Sequence, residues 1–142
     1  MDFSKRYSEP QSKKLDALYR KLYDNRDMPP RFNLDHIIPK GDLCEAACGG
    51  GHNTRVLAKA NPARNVFGVD IDSGSIAYAK RNNRAANTRY VQGDANDLSK
   101  IGKFAYIESD YSLHHFELES HLSSLISALE PNVVMCITEA GH

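Results

Sequence analysis

The sequence predicts an α/β fold built on a doubly wound, mainly parallel sheet, and three observations carry that prediction. Short apolar runs alternate with stretches of helical periodicity from Gly41 to Thr138, the first run closes on three glycines, Gly49, Gly50 and Gly51, and the second closes on an acid, Asp70. Strands that alternate with helices pair in parallel through right-handed crossovers. About five strands with flanking helices are expected, preceded by one further helix.

The elements follow in order. SKKLDALYRKLYD, residues 12–24, places Leu15, Leu18, Tyr19 and Leu22 at helical spacing behind Ser12 as a cap, and Pro29 and Pro30 end it. A linker of extended character follows. GDLCEAAC reads as the first strand and HNTRVLAKANP, after the glycines, as a helix. NVFGVDI is a second strand, and SGSIAYAKRNNRAAN is a helix that Asp72 is well placed to cap. RYVQGD and FAYIES read as the third and fourth strands. ELESHLSSLISALE is a helix with Leu118, Leu122, Leu125, Ile126 and Leu129 on one face, and VVMCIT is the fifth strand.

The chain has 142 residues, 41% of them hydrophobic and 25% charged, as expected of one ordinary globular domain. No apolar run approaches the roughly 18 to 20 residues that span a bilayer, and Met1 to Arg6 is charged without an apolar stretch behind it, so the reading is cytoplasmic with no membrane association. Cys44, Cys48 and Cys136 are odd in number and lie in or beside strand-like runs, as buried reduced thiols do. Cys44, Cys48 and His52 share one turn without the further ligand that zinc requires, so no metal is expected. All 18 Lys and Arg fall between Lys5 and Lys103, whereas residues 104–142 carry Glu108, Asp110, Glu117, Glu119, Glu130 and Glu139. Such an acidic third repels nucleic acid and tolerates a cationic or neutral acceptor.

In a doubly wound sheet, ligands bind outside the carboxyl ends of the strands. Three glycines there allow positive φ and a close backbone approach. Asp70, 19 residues beyond Gly51, can accept both hydroxyls of a ribose. These two features are shared by dinucleotide and S-adenosylmethionine sites, and the residues alone leave that choice open.

Glu45-Ala46-Ala47-Cys48-Gly49-Gly50-Gly51 resembles the acid-x-Gly-x-Gly-x-Gly signature of class I S-adenosylmethionine-dependent methyltransferases, and Val66 to Asp70 resembles their second motif. Gln92-Gly93-Asp94-Ala95 is similar to the third, Phe104 to Phe116 to the fourth-strand segment, and Leu129-Glu130-Pro131 to the turn before strand five. The resemblance implies a Rossmann-like sheet of order 3-2-1-4-5 and S-adenosylmethionine as cofactor. It implies that Glu45 orients the methionine end, that the backbone at Ala47, Cys48, Gly49 and Gly51 lies against the cofactor, and that Asp70 with Ile71 holds the ribose side. Asp94 and Ala95 would meet the adenine, and Ser109 and Asp110 would face the amino group and sulfonium.

On the acceptor side, His114 and His115 are the candidate bases, and Tyr7, Tyr111 and His114 the candidate substrate contacts. Residues 1–33 are expected to form an N-terminal helical segment beside a binding domain at 34–142; of its tyrosines Tyr7, Tyr19 and Tyr23, Tyr7 is the better candidate for a lid over the cofactor, whereas Tyr19 is expected to pack in the core. Ser109-Asp110-Tyr111-Ser112 lacks the Asn-Pro-Pro-aromatic pattern of DNA adenine methylation, so the expected acceptor is a small molecule.

The resemblance has departures. Ala47 stands where the first glycine is usual, Ala105 replaces an acid after Phe104, and Asn132 replaces the glycine after Pro131. The chain is expected to stop after strand five, where the family adds more, which leaves an edge for a second copy or a partner to cover. The alternative function is a non-catalytic S-adenosylmethionine-binding or scaffold subunit that needs such a partner.

Overall fold

The computed structural model describes residues 33–110 and 112–138, together with Lys13, Lys14 and Ala17, which are helical. The remainder of the expected 12–24 helix, and with it Tyr7, Tyr19 and Tyr23, lies outside the described residues, as does Tyr111. The strands are β1 (Leu43–Ala46), β2 (Val66–Asp70), β3 (Thr88–Gln92), β4 (Phe104–Asp110) and β5 (Leu129–Thr138). The helices are α1 (His52–Ala60), α2 (Ser73–Asn82) and α3 (Leu118–Ala128), and Ala95–Lys100 and Leu113–His115 are 3-10 segments.

All four strand pairings are parallel and give the order β3-β2-β1-β4-β5, as the resemblance implies. The sheet is covered on both faces. On one, Cys44, Ala46, Val69 and Ile107 pack with Leu98 of the 3-10 segment and with Leu125 and Ala128 of α3. On the other, Leu43, Val66 and Tyr106 pack with Leu57 and Ala58 of α1. Where β4 meets β5 the register shifts between Phe104 and Tyr106. Strict alternation fails at that irregularity, so Phe104 joins the first cluster and both Ala105 and Tyr106 the second.

Two expectations are corrected. Residues 33–40 are not an extended linker: Leu34 O accepts from the amides of Ile37 (3.0 Å) and Ile38 (3.1 Å), and both Leu34 and Ile38 are buried. The buried Arg64 makes the turn possible, because its guanidinium donates to Asp35 (3.0 Å), Pro39 O (2.8 Å) and Ile38 O (3.2 Å) and so supplies the partners this backbone lacks. The buried face of α3 is also rotated from the leucine stripe. His121, Ser124, Leu125 and Ala128 face inward, whereas Leu118 and Ile126 are 53% and 59% exposed. The 3-10 segment causes this, because it offers polar groups to α3: Ser124 Oγ donates to Ala95 O (3.0 Å) and His121 Nδ1 lies 3.2 Å from Asn96 Oδ1.

The His121 ring is fully buried and stacks on Phe116, centroids 3.8 Å apart. Burial lowers its pKa below the ordinary histidine value of 6.5, more than the charge of Asp94 raises it. Its neutral form is therefore the one the fold favours, and the stability it provides is present above that value and lost as pH falls through the depressed folded value. In urea titrations, His121→Gln is expected to cost about 1–2 kcal/mol at neutral pH. The gap to the unsubstituted protein should narrow as the pH is lowered below 6.5.

Candidate functional site

The carboxyl ends of β1, β2 and β4 converge on the turn Ala47–Gly51, and each glycine of that turn is held by a different element. Gly49 N donates to Asp70 Oδ2 (2.8 Å) at the end of β2. Gly50 O accepts from Asn83 Nδ2 (2.8 Å) after α2, and Gly51 O from the Tyr90 hydroxyl (2.9 Å) on β3. The turn is thus fixed before any ligand arrives, at no further ordering cost on binding.

The glycines do different work. Gly49 has φ 51, and a Cβ built there would meet nothing within 4 Å, so its open side can lie against a ligand. Gly51 has φ 80, but a Cβ there would sit 2.6 Å from the Tyr90 ring and 2.8 Å from Ala79 Cβ. Packing alone therefore requires that glycine. Gly51 also opens α1, with no side chain capping the helix.

Ala47 has φ 57 and Asn132 has φ 61, and they are the non-glycine residues with positive φ among those described. They are also the two positions at which the sequence departs from an expected glycine. The backbone keeps the left-handed conformation although the residue has changed; asparagine tolerates it, and alanine is strained by about 1 kcal/mol.

The acids line one sheet face. Glu45 on β1 is 4% exposed and pairs in register with Glu108 on β4, 6% exposed. Thr54 of α1 donates to Glu45, and the Tyr106 hydroxyl lies 3.3 Å from Glu108 Oε2. Asn53 Nδ2 donates to Asp110 Oδ2 (3.1 Å), which ties α1 to the end of β4. Burial first, then the Glu108 charge, hold the Glu45 carboxyl well above the usual carboxylate range. Asp70, whose Oδ1 accepts from Asp72 N (2.9 Å), is also raised by burial, although its backbone hydrogen bonds oppose this. Asp72 caps α2 by accepting from Ser75 N (2.7 Å), as the sequence predicts. Four carboxyl groups, Glu45, Asp70, Glu108 and Asp110, thus gather at one end of the sheet, a lining that suits a cationic ligand better than a pyrophosphate.

The other expected residues are placed as follows. Ile71, directly after Asp70, is 56% exposed and offers an apolar surface beside the cleft. Asp94 caps the 3-10 segment through Asn96 N (2.8 Å), and Ala95 is buried beneath α3. The Cys48 side chain packs with Ile76, Ala79 and Tyr90, and the Ser109 hydroxyl lies 2.5 Å from that of Ser112, so both side chains are occupied within the protein. His115 is half-buried, and the side chain of His114 lies outside the described residues. Cys44 and Cys48 are buried free thiols, and Cys136 is a half-buried one. No helix among the described residues is long and apolar enough to cross a membrane.

Thr54, Asn53 and Glu108 were not singled out by sequence reasoning. For Glu108 the signal was an acid inside the apolar run FAYIESD, in step with Tyr106 and Asp110.

The methyltransferase domain family model matches residues 43–132. The chain belongs to that family. It is 30% identical over 131 residues to trans-aconitate 2-methyltransferase of Deinococcus radiodurans, covering 87% of this chain and 48% of that protein. It is 24% identical over 122 residues to malonyl-[acyl-carrier protein] O-methyltransferase of Acetivibrio thermocellus, covering 85% and 41%. Among solved structures, a TehB-like SAM-dependent methyltransferase from Corynebacterium glutamicum superposes with a TM-score of 0.69 at 25% identity, over 92% of this chain and 73% of that one. The chain spans about half or less of the length of these two curated relatives.

Thermal denaturation checks the two left-handed non-glycine positions and Gly51. Ala47→Gly should raise stability by up to about 1 kcal/mol, and Asn132→Gly should change it little. Gly51→Ala should lower it by roughly 2–4 kcal/mol, because conformational strain and overpacking add.

Proposed function

We propose that this domain binds S-adenosylmethionine across the carboxyl ends of β1 to β4 and transfers its methyl group to a small-molecule acceptor. The observation that carries this reading is the ring of buried and half-buried carboxylates, Glu45, Asp70, Glu108 and Asp110, around a pre-formed glycine turn. A cationic nucleoside fits such a lining and an anionic dinucleotide does not. The family membership supports the same class of chemistry.

In this reading Asp70 accepts the ribose hydroxyls with the lone pairs its two backbone hydrogen bonds leave over. The open side of Gly49 lets the chain approach, and Ile71 packs against the nucleoside. Asp94 and the Ala95 backbone meet the adenine, and Glu45 with Asp110 faces the methionine ammonium and the sulfonium. The cofactor supplies a methyl group already activated by positive sulfur, so the residues need chiefly to align the acceptor and exclude water. His115, with His114, takes a proton where the acceptor carries one. The two curated relatives act, by their names, on trans-aconitate and on a malonyl-acyl carrier protein. A panel of carboxylic acids set against amines of similar size therefore tests the acceptor class.

Calorimetry with S-adenosylhomocysteine tests the site. Asp70→Asn, which keeps one accepting oxygen, should weaken binding by about 10- to 100-fold, or roughly 1.4–2.8 kcal/mol. Unchanged affinity would remove Asp70 from the ribose site.

A further inference from the structure

The face of α1 that covers the sheet changes character along its length. Leu57 and Ala58 pack in one cluster with Leu43, Val66 and Tyr106, and one turn earlier, on the same stripe of the helix, stand Asn53 and Thr54. These two polar residues reach different strands. Thr54 Oγ donates to the Glu45 carboxyl on β1, and Asn53 Nδ2 donates to Asp110 Oδ2 on β4 at 3.1 Å. Asp110 lies two residues beyond Glu108, the register partner of Glu45, so strand alternation puts both acids on the sheet face that α1 covers. Apolar residues of the helix thus meet the apolar part of the sheet, and its donors meet the acids at the carboxyl end.

The two acids are held unequally. Glu45 is buried and confined by packing, whereas Asp110 is half-buried at the tip of β4, where a carboxylate has more than one rotamer open to it. Its orientation therefore depends on a partner. Asn53 supplies one, and its amide carries no charge; a lysine or arginine in that place would orient Asp110 as well but would offset its charge in advance. The donor also stands on a fixed base, because Gly51 O, at the start of α1, accepts from the Arg55 amide (3.0 Å) and from the Tyr90 hydroxyl (2.9 Å).

We infer that Asn53 is a positioning residue for the methionine end of the cofactor: it fixes one oxygen of Asp110 and leaves the other, with the carboxylate's charge intact, to meet the ammonium group. The inference rests on the cofactor reading above. Asn53 itself makes no contact with the ligand, so its effect passes through Asp110 alone.

Calorimetry with two nucleosides tests this. S-adenosylhomocysteine carries the ammonium group, whereas 5′-methylthioadenosine shares its adenine and ribose but ends at the thioether. Asn53→Ala should weaken binding of S-adenosylhomocysteine by about 5- to 20-fold and that of 5′-methylthioadenosine by less than about 2-fold. In an Asp110→Ala background the same substitution should add no further loss, because the group it positions is gone.

Unchanged affinity of Asn53→Ala for S-adenosylhomocysteine, equal weakening of both nucleosides, or losses that add in the double variant would overturn the proposal. So would an Asp110→Ala chain that keeps full affinity for S-adenosylhomocysteine. If the unsubstituted chain binds neither nucleoside, the cofactor reading itself fails. Should Asn53→Ala not fold, Asn53→Ser takes its place, since serine suits the start of a helix and its hydroxyl is too short to reach Asp110, and the same comparison of the two nucleosides decides.

Discussion

A single carboxylate joins the two turns on which the site is built. Asp70, at the tip of β2, receives the Gly49 amide on one oxygen and the Asp72 amide on the other, at 2.8 and 2.9 Å. The first bond fixes the turn between β1 and α1; the second fixes the turn between β2 and α2, whose first residue Asp72 then caps. Both helices therefore start at heights set by one side chain. The carboxylate is thus a brace between the two turns, and in the proposed reading it is also the group that meets the ribose.

The remaining fold maintains that junction. Tyr90 and Asn83 reach from β3 and the end of α2 to the other two glycines of the turn, and Tyr90 occupies the space that Gly51 leaves by having no side chain. On the opposite face, His121 and Ser124 of α3 hold the 3-10 segment that follows Asp94. The three regions proposed to meet the cofactor thus belong to different crossovers but are cross-braced, as pre-organised binding requires. The same arrangement gathers buried carboxyl groups of β1, β2 and β4 at one end of the sheet.

Most of the architecture was legible in the sequence. Five apolar runs, three intervening periodic stretches, the glycine turn and Asp70 gave the sheet and its winding, because strand and helix periodicities are local properties of the chain. Motif order gave the positions of Glu45, Asp94 and the β4 end. The burial of α3 was misjudged because a leucine stripe states which residues are apolar, not what the facing element offers. Here that element is a 3-10 segment with free carbonyl and amide groups, and it draws His121 and Ser124 inward. The turn at Leu34–Ile38 was missed for a related reason: the Arg64 guanidinium that satisfies its carbonyls lies 26 to 30 residues away in sequence.

The sequence by itself determined the fold class, the place of the cleft and the identities of the residues along motifs, all of which depend on spacing along the chain. Only the tertiary structure decided what those residues do to one another. Gly49 and Gly51 look alike in sequence, yet one opens to the cleft and the other is filled by Tyr90. Ala47 and Asn132 look like simple losses of glycine, yet both keep the left-handed backbone. Glu108 looks like one acid among many until β4 pairs with β1 and sets it against Glu45. Each of these depends on a distance between strands or turns that closes only when the sheet assembles, and local sequence holds no measure of it.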